Sequence, residues 1–470
     1  MHNSTALGRD TAGAWAREEF GGARLGNTLR TARLLRLAAG AAKTPAGPLT
    51  EVFKRPADLE AAYRLVENKH FDEGDVGGAA HRACAQRAAS ERFVFVPVDG
   101  CTLTLTDKGG KGFGKVGTSE TRARGVEVMN AIAVSPDGTP LGLCGQTWWT
   151  RRDEVQVVPS DKRALHAKET KYWLKCIESV DAAFAAAQVT TPRWYQLDAG
   201  ADFRELLAWA EQSGEHVTVR AAQNRRVADG DQLLFETVAA TASLGRFQLR
   251  LPRGRKRVPR VATLEVRSRR IALKLPGDSG VVELHAVLVE ELGKPPMGEE
   301  PISWLLLTNM EVDCFDDARL VVYGYSQRWR VEEFHKAWKS VCRVEESQLE
   351  VLAFKIWATV LASVAMRVER LKYLARNEPD AAATVELTEL ELKAIVALKM
   401  SDGYPPPKDY RPGKVPTIAQ AVRWIAELGG YVGAKRSGGP PGTIVIGRGL
   451  EHVEIAAQAI SGLLLSTSKT

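Results

Sequence analysis

The chain has 470 residues, with 64 Lys and Arg against 57 Asp and Glu and a net charge of +7. Its 44% hydrophobic and 26% charged residues are those of an ordinary globular protein of roughly three domains, which excludes a disordered, collagenous or mini-protein chain. The six cysteines are scattered, with no C-x-x-C pair and no neighbouring His at ligand spacing, so neither a zinc ribbon nor a disulfide framework is expected and a reducing compartment fits.

The first thirty residues carry Arg9, Asp10, Arg17, Glu18, Glu19 and Arg24, which leaves no apolar core for a signal peptide. The longest apolar stretch, residues 356–366, falls short of the roughly 18 residues of a membrane span, so a cytoplasmic protein is expected. From Trp15 to about Asp75 the pattern is helical. Arg30, Arg33 and Arg36 recur at three-residue spacing beside Leu29, Leu34, Leu35 and Leu37, which predicts a helix with a cationic stripe next to an apolar one. Such a stripe is either a DNA-docking face or a solvated one.

Residues 93–98 and 194–197 are short runs rich in β-branched and aromatic side chains. They predict buried strands that stop at Asp99 and Asp198, and strand carboxyl ends are where open α/β sheets present functional groups. Between them, residues 130–134 and 141–144, joined by Pro136-Asp-Gly138, predict a hairpin, and residues 163–187 a helix.

Residues 220–274 hold 14 Lys and Arg against 4 Asp and Glu, a net +10 that exceeds the charge of the whole chain. The run from Arg253 to Arg260 leads into residues 263–267 and 271–275, whose alternation predicts strands with one buried and one cationic face. That face could follow a phosphate backbone, or the segment could be a solvated basic loop. Further predicted elements are a strand over residues 302–307, a helix from Asp316 or Asp317, a second over residues 326–344 and a long one over residues 351–376. A Pro/Gly-rich passage at 404–416, a helix at 417–428, a Gly-rich stretch at 429–442 and a closing helix complete the chain. Residues 109–115 satisfy G-x4-G-K, but Val116 stands where a phosphate-binding loop has Ser or Thr and Gly117 breaks the following helix, so nucleotide binding is not expected.

Tyr325, Arg328, Glu332 and Lys339 are spaced by three, four and seven residues, which predicts one charged stripe on a helix, while Val331, Phe334, Trp338 and Val341 form a separate apolar one. Taken alone, that is also the pattern of any amphipathic charged helix. The Y-x2-R-x3-E-x6-K pattern, with its acid inside residues 329–338, resembles the YREK signature of the bacterial cut-and-paste DDE transposases of the Tn-five type. Ala62-Tyr-Arg-Leu65 and Asn68, Asp99, Gln146-Thr-Trp-Trp149 with Arg151, Asp198, Val219-Arg220, the basic strands, Trp304-Leu-Leu-Leu-Thr308, Gly429-Gly430 and Lys435-Arg436 follow the family in order. Two departures stand out. Gly100-Cys101 replaces the Thr-Thr usual after the first Asp, and Asp198-Ala-Gly-Ala-Asp202 lacks the Arg usual after the second.

The resemblance implies an α/β chain with an RNase H-like catalytic domain, interrupted by a β-strand insertion and flanked by helical domains. Its expected boundaries are 1–75 (DNA binding), 76–222 and 303–375 (catalytic), 223–302 (insertion) and 376–470 (dimerisation). It implies a transposase that nicks transposon ends, forms and reopens a DNA hairpin and joins the ends to target DNA. Asp99, Asp198 and Glu332 would be catalytic and would hold two Mg²⁺ ions, with Mn²⁺ able to substitute. Tyr325, Arg328, Lys339, Trp304, Arg220, Arg30 and Arg33 would contact DNA, Trp304 by stacking on a flipped base. Transposon-end and target DNA are the implied partners, with a homodimer in the synaptic complex and no membrane. Phosphodiester chemistry by two hard cations needs only oxygen ligands, which agrees with the lack of a Cys/His cluster. A catalytically silent DNA-binding regulator and a stand-alone RNase H-like nuclease are the alternatives.

Overall fold

The computed structural model describes residues 11–107, 110–117, 123–151, 164–228, 232–251, 258–275, 280–401 and 407–467. The densest basic run, 253–257, the start of the helix expected at 163, residue 109 of the glycine-rich loop and part of the Pro-rich passage, 404–406, lie outside the described residues.

Five helices open the chain: α1 (Thr11–Phe20), α2 (Thr28–Lys43), α3 (Leu49–Val52), α4 (Pro56–Val66) and α5 (Glu73–Ala88). Local chemistry sets their starts. Asn27 caps α2 by accepting from the Arg30 amide at 2.9 Å, and Asp72 with Asp75 forms a reciprocal capping box on α5.

Strands β1 (Val94–Leu105), β2 (Gly114–Lys115), β3 (Arg124–Val134) and β4 (Pro140–Trp149) follow, then α6 (Lys171–Ala186), β5 (Arg193–Leu197), α7 (Arg204–Gln212) and β6 (His216–Arg220). Next come α8 (Leu234–Ala239), β7 (Gly245–Leu251), β8 (Arg260–Lys274), β9 (Val281–Glu291) and β10 (Ser303–Thr308). The ten strands of the described residues join one mixed sheet in the order β2-β3-β1-β5-β6-β10-β9-β8-β7, with β4 also paired to β3. The β1–β5 and β5–β6 pairs are parallel and the others antiparallel. The basic strands are therefore not a separate sheet: β9 pairs with β10 along the whole length of β10 and extends the central one.

Alternation assigns the faces. Val94, Val96 and Val98 of β1 enter a core with α5, α6 and α7, while Phe95, Leu103 and Leu105 enter the opposite core with the helices that follow β10. Those helices are α9 (Phe315–Ser326), α10 (Trp329–Ser340) and α11 (Val351–Asn377). The last is long and apolar enough to cross a bilayer by composition, yet it is buried on nearly every side, as a central core helix is. After it come α12 (Glu389–Met400), α13 (Ile418–Leu428), α14 (Ala434–Ser437) and α15 (Thr443–Thr467), of which α12, α13 and α15 pack with the C-terminal end of α11 around Leu371, Ile395, Trp424 and Ile446.

Two sequence expectations are corrected. β1 does not stop at Asp99; its parallel pairing with β5 ends at Val98, but antiparallel pairing with β3 carries the strand on to Leu105. The charged stripe expected on one helix spans two, with Gln327 and Arg328 as the joint, so Tyr325 belongs to α9 and only Glu332 and Lys339 to α10; the helix expected over 326–344 is α10, which ends at Ser340. The joint keeps helical dihedrals, and the Arg328 amide donates to the Tyr325 carbonyl at 3.1 Å, which is why the stripe survives the break.

Candidate active site

The site grows out of the two parallel strands. Val98 of β1 is level with Leu197 of β5, so the next residue of each strand, Asp99 and Asp198, emerges side by side. Asp99 accepts from the Gly100 amide at 2.8 Å, and Asp198 caps the 3-10 turn Ala199–Ala201 by accepting from the Gly200 amide at 2.7 Å. Both bonds use only a backbone amide, so the side chains that depart from the family pattern do not change them. Asp202, four residues on, is a different object: it is buried, pairs with Arg225 at 2.6 Å and accepts from the Ala222 amide at 2.7 Å.

From above, α10 lowers Glu332 toward this pair. Arg328 joins the elements: Nη1 lies 3.1 Å from Asp99 Oδ2 and Nη2 lies 2.7 Å from Glu332 Oε1. The Asp99 carboxyl is pushed up to about 7, first by burial and then by the charge of Asp198, with Arg328 pulling the other way and Glu332 adding to the rise. That mutual repulsion is the electrostatic signature of carboxylates gathered without enough positive charge between them.

Among the described residues, no three His, Cys, Asp or Glu side chains stand close enough together to hold an ion as they are. The donor set nevertheless fits a hard divalent cation. Asp99, Asp198 and Glu332 offer only carboxylate oxygens, their charges interact unfavourably at Asp99, and one guanidinium stands between two of them.

The remaining expected residues fall into two groups. Trp304 of β10 meets the Tyr325 ring edge-on at 5.4 Å, Arg328 lies over the Tyr325 ring at 5.9 Å, and Arg220 ends β6 opposite Leu306. Of these, Arg328 touches the carboxylates, Tyr325 packs against Arg328, and Trp304 reaches the site only through Tyr325. Lys339 is one helical stretch further on, donating to the Thr102 carbonyl at 2.6 Å and pairing with Glu345 at 3.3 Å. Arg30 and Arg33 are elsewhere, on α2; Arg33 is exposed and Arg30 is half-buried, bonded to the Leu25 carbonyl at 3.0 Å. The tryptophan motif divides by strand parity. Trp148 turns inward onto Trp338, and Trp149 stacks on Tyr172 with ring centroids 4.1 Å apart.

The expected cationic face of the basic strands is largely neutralised. Arg246 pairs with Glu265, Arg267 with Glu265 and Glu290, Arg260 with Glu291 and Glu299, and Arg270 with Glu283. Arg250, Arg269 and Lys274 are exposed and make no ion pair among the described residues. Sequence reading missed the cancellation because most of the acids, Glu283, Glu290, Glu291 and Glu299, lie outside the +10 segment and meet the arginines only in the folded sheet.

It also missed Asn130 and His335. Asn130 is wholly buried in β3, and the two side chains meet at 3.0 Å. The available signal was a lone amide in the otherwise apolar end of β3, directly opposite Asp99 in register.

Residues 12–71 match the family of transposase DNA-binding domains, and residues 164–364 match the transposase DDE domain. The first stretch includes Arg30 and Arg33; the second includes Asp198, Trp304, Tyr325, Arg328, Glu332 and Lys339, and Asp99 precedes it. Among solved structures, the chain is similar to the piggyBac transposase of a cryo-EM synaptic complex with hairpin DNA, at 10% identity and a TM-score of 0.33, over 64% of this chain and 52% of that one. The chain therefore spans about half the length of that protein. The DDE domain implies an RNase H-like fold, with which the strand order β4-β3-β1-β5-β6 agrees. The chain thus carries a transposase DNA-binding domain and a transposase DDE domain.

Proposed function

We propose that the chain is a bacterial cut-and-paste transposase of the YREK type, which cleaves transposon ends through a hairpin intermediate and joins them to target DNA. The observation that carries this reading is the meeting of Asp99 and Asp198 at adjacent parallel strand ends, with Glu332 tied to Asp99 through Arg328. Asp99, Asp198 and Glu332 would hold the divalent cations, two Mg²⁺ or Mn²⁺, whose chemistry is activation of an attacking oxygen and stabilisation of a leaving one. The chain's own part is positional. Arg328 releases the carboxylates and takes a phosphate flanking the scissile bond, Tyr325 and Lys339 border the same strand of DNA, and the Trp304 indole offers a face to an unstacked base. Arg30, Arg33 and Arg220 contribute phosphate contacts that orient the end.

The proposed regions are a DNA-binding domain to about residue 75, a catalytic domain split by the strands of 223–302, and a C-terminal region from 376 that joins two protomers in the synaptic complex. A nucleoid-associated, cytoplasmic location follows from that role. The test is purified full-length protein, Mg²⁺ or Mn²⁺ and DNA carrying the element's own ends. End-specific nicking and joining are expected, reduced at least about 10³-fold in Asp99→Ala, Asp198→Ala or Glu332→Ala while end binding persists. Normal cutting by Glu332→Ala would remove the assignment, and wild-type binding without cutting would point to a silent regulator.

A further inference from the structure

The row of residues behind Asp99 is polar where the sheet should be apolar. Asp99 of β1 is level with Asn130 of β3, and Asn130 is level with Gln146 of β4, so three neighbouring strands carry one polar position each in a single line. The Gln146 amide donates to Asn130 Oδ1 at 2.8 Å, and Asn130 Nδ2 lies 3.0 Å from His335 Nε2 on α10. His335 is three residues from Glu332, on the next turn of the same helix. The line therefore begins at one candidate carboxylate and returns, through two amides and an imidazole, to the helix that bears another.

Folding does not require this arrangement. Val331, Phe334 and Trp338 already bury α10 against the sheet, and replacing a hydrogen-bonded buried set by apolar groups of similar size is often neutral for stability. Apolar contact is, however, non-directional and leaves a helix free to slip or roll by fractions of an ångström. A hydrogen bond from the strand to the turn beside Glu332 removes that freedom. Burial, and then the charge of Lys339, push the imidazole down to about 3, so it stays neutral beside Asn130 at working pH.

We propose that Asn130 and His335, backed by Gln146, are positioning residues that fix the register of α10 on β3 and thereby keep Glu332 facing Asp99, so that side-chain movement alone lets the two share a divalent cation once Arg328 gives way. This rests on the reading of Asp99, Asp198 and Glu332 as the cation site. Outer partners of metal ligands commonly contribute about 10 to 100-fold in metal affinity.

The experiment titrates Mn²⁺ into the full-length chain and reads the bound fraction by electron paramagnetic resonance, with a thermal melt of each variant alongside. His335→Leu and the double variant Asn130→Leu/His335→Leu are expected to weaken Mn²⁺ binding by about 10-fold or more, whereas His335→Gln, which keeps a polar partner for Asn130, stays within about 3-fold of wild type. The double variant removes the buried amide that His335→Leu leaves unpaired, and the half-buried Gln146 that loses its acceptor can turn to water, so its melting midpoint should equal or exceed that of His335→Leu. If it does not fold, Gln146→Met withdraws only the far end of the chain of bonds and should weaken binding by about 3-fold. Wild-type Mn²⁺ affinity in the double variant, or in Gln146→Met where that is the variant used, overturns the proposal. Asp99→Ala and Glu332→Ala separate the two readings. If they leave Mn²⁺ binding intact, the carboxylate site itself is wrong; if they abolish it while the double variant does not weaken it, only the positioning role falls.

Discussion

Arg328 Nη1 stands 3.1 Å from Asp99 Oδ2, and the same guanidinium also holds Glu332, so one side chain supplies the positive charge between carboxylates that repel one another. A divalent cation entering this space competes with Arg328 for the same oxygens. Arg328→Ala should therefore bind Mn²⁺ more tightly than wild type, by about 10-fold on the scale of one partly buried charge pair, while its melting midpoint without metal falls. Differential scanning fluorimetry with and without Mn²⁺ checks both parts. An equal Mn²⁺ effect in both proteins would mean that the guanidinium does not occupy the cation's place. End cleavage should still be lost, because the proposed phosphate contact is gone.

Asp198 and Asp202 separate function from structure within five residues. Asp198 repels Asp99 and caps a turn, whereas Asp202 is buried against Arg225. Removing one partner of a buried pair strands the other charge, so Asp202→Ala should cost about 3 to 5 kcal/mol in urea denaturation. Asp198→Ala should change stability by less than about 1 kcal/mol, because it loses a turn cap but relieves repulsion at Asp99. Equal losses would refute the division.

Much of the site is legible in the amino-acid sequence, and the reasons are physical. Asp99 and Asp198 stand out because each follows a short apolar run, whereas Glu332 stands out only through the family's Y-R-E-K spacing, a local signature that survives even the break between α9 and α10. What stays hidden depends on pairing between distant strands. The glutamates that neutralise Arg246 and Arg270, and Glu290 beside Arg267, become neighbours only through strand register, and Asn130 means little until β3 is laid beside Asp99 and under His335. Composition counts charges; it does not say which of them cancel.

That cancellation makes the basic strands testable residue by residue. Arg269 is exposed and unpaired among the described residues, while Arg267 spends its charge on Glu265 and Glu290. If the sheet face follows DNA, Arg269→Ala should lower affinity for duplex DNA about uniformly across sequences and reduce the salt slope by about 1. Arg267→Ala should leave the slope nearly unchanged and destabilise the β8–β9 pairing instead. Fluorescence anisotropy over a range of salt concentrations distinguishes them, and a flat response to Arg269→Ala would make this face a solvated one.

Trp304 borders a cavity of about 410 Å³ that is also lined by Phe247, Leu249, Leu320 and Tyr323. A space of that size beside an indole suits an extruded base. On the proposed hairpin route, Trp304→Ala should slow hairpin formation by about 5 to 100-fold, the range of base–aromatic stacking, with first-strand nicking within about 2-fold. Equal slowing of both steps would make Trp304 only a packing partner of Tyr325.

Far from the cation site, Arg367 of α11 contacts two carboxylates, Glu391 of α12 and Glu454 of α15, and Glu454 also accepts from the Thr11 hydroxyl at 2.6 Å. One guanidinium cannot balance both buried acids. Burial is the main cause that pushes the Glu454 carboxyl up to about 7; Arg367 opposes the rise and Glu391 adds to it. The folded chain therefore keeps a proton that the unfolded chain releases above pH 4.5, so the associated stability is complete below that pH and is lost as pH climbs through about 7. Wild-type stability should drop by roughly 2 kcal/mol between pH 5 and pH 8 from this group. Glu454→Gln, which cannot ionise but still accepts from Arg367, should flatten that dependence and be the more stable protein at pH 8. Parallel urea midpoints for the two proteins across that range would show that Glu454 is ionised throughout and that Arg367 balances it after all.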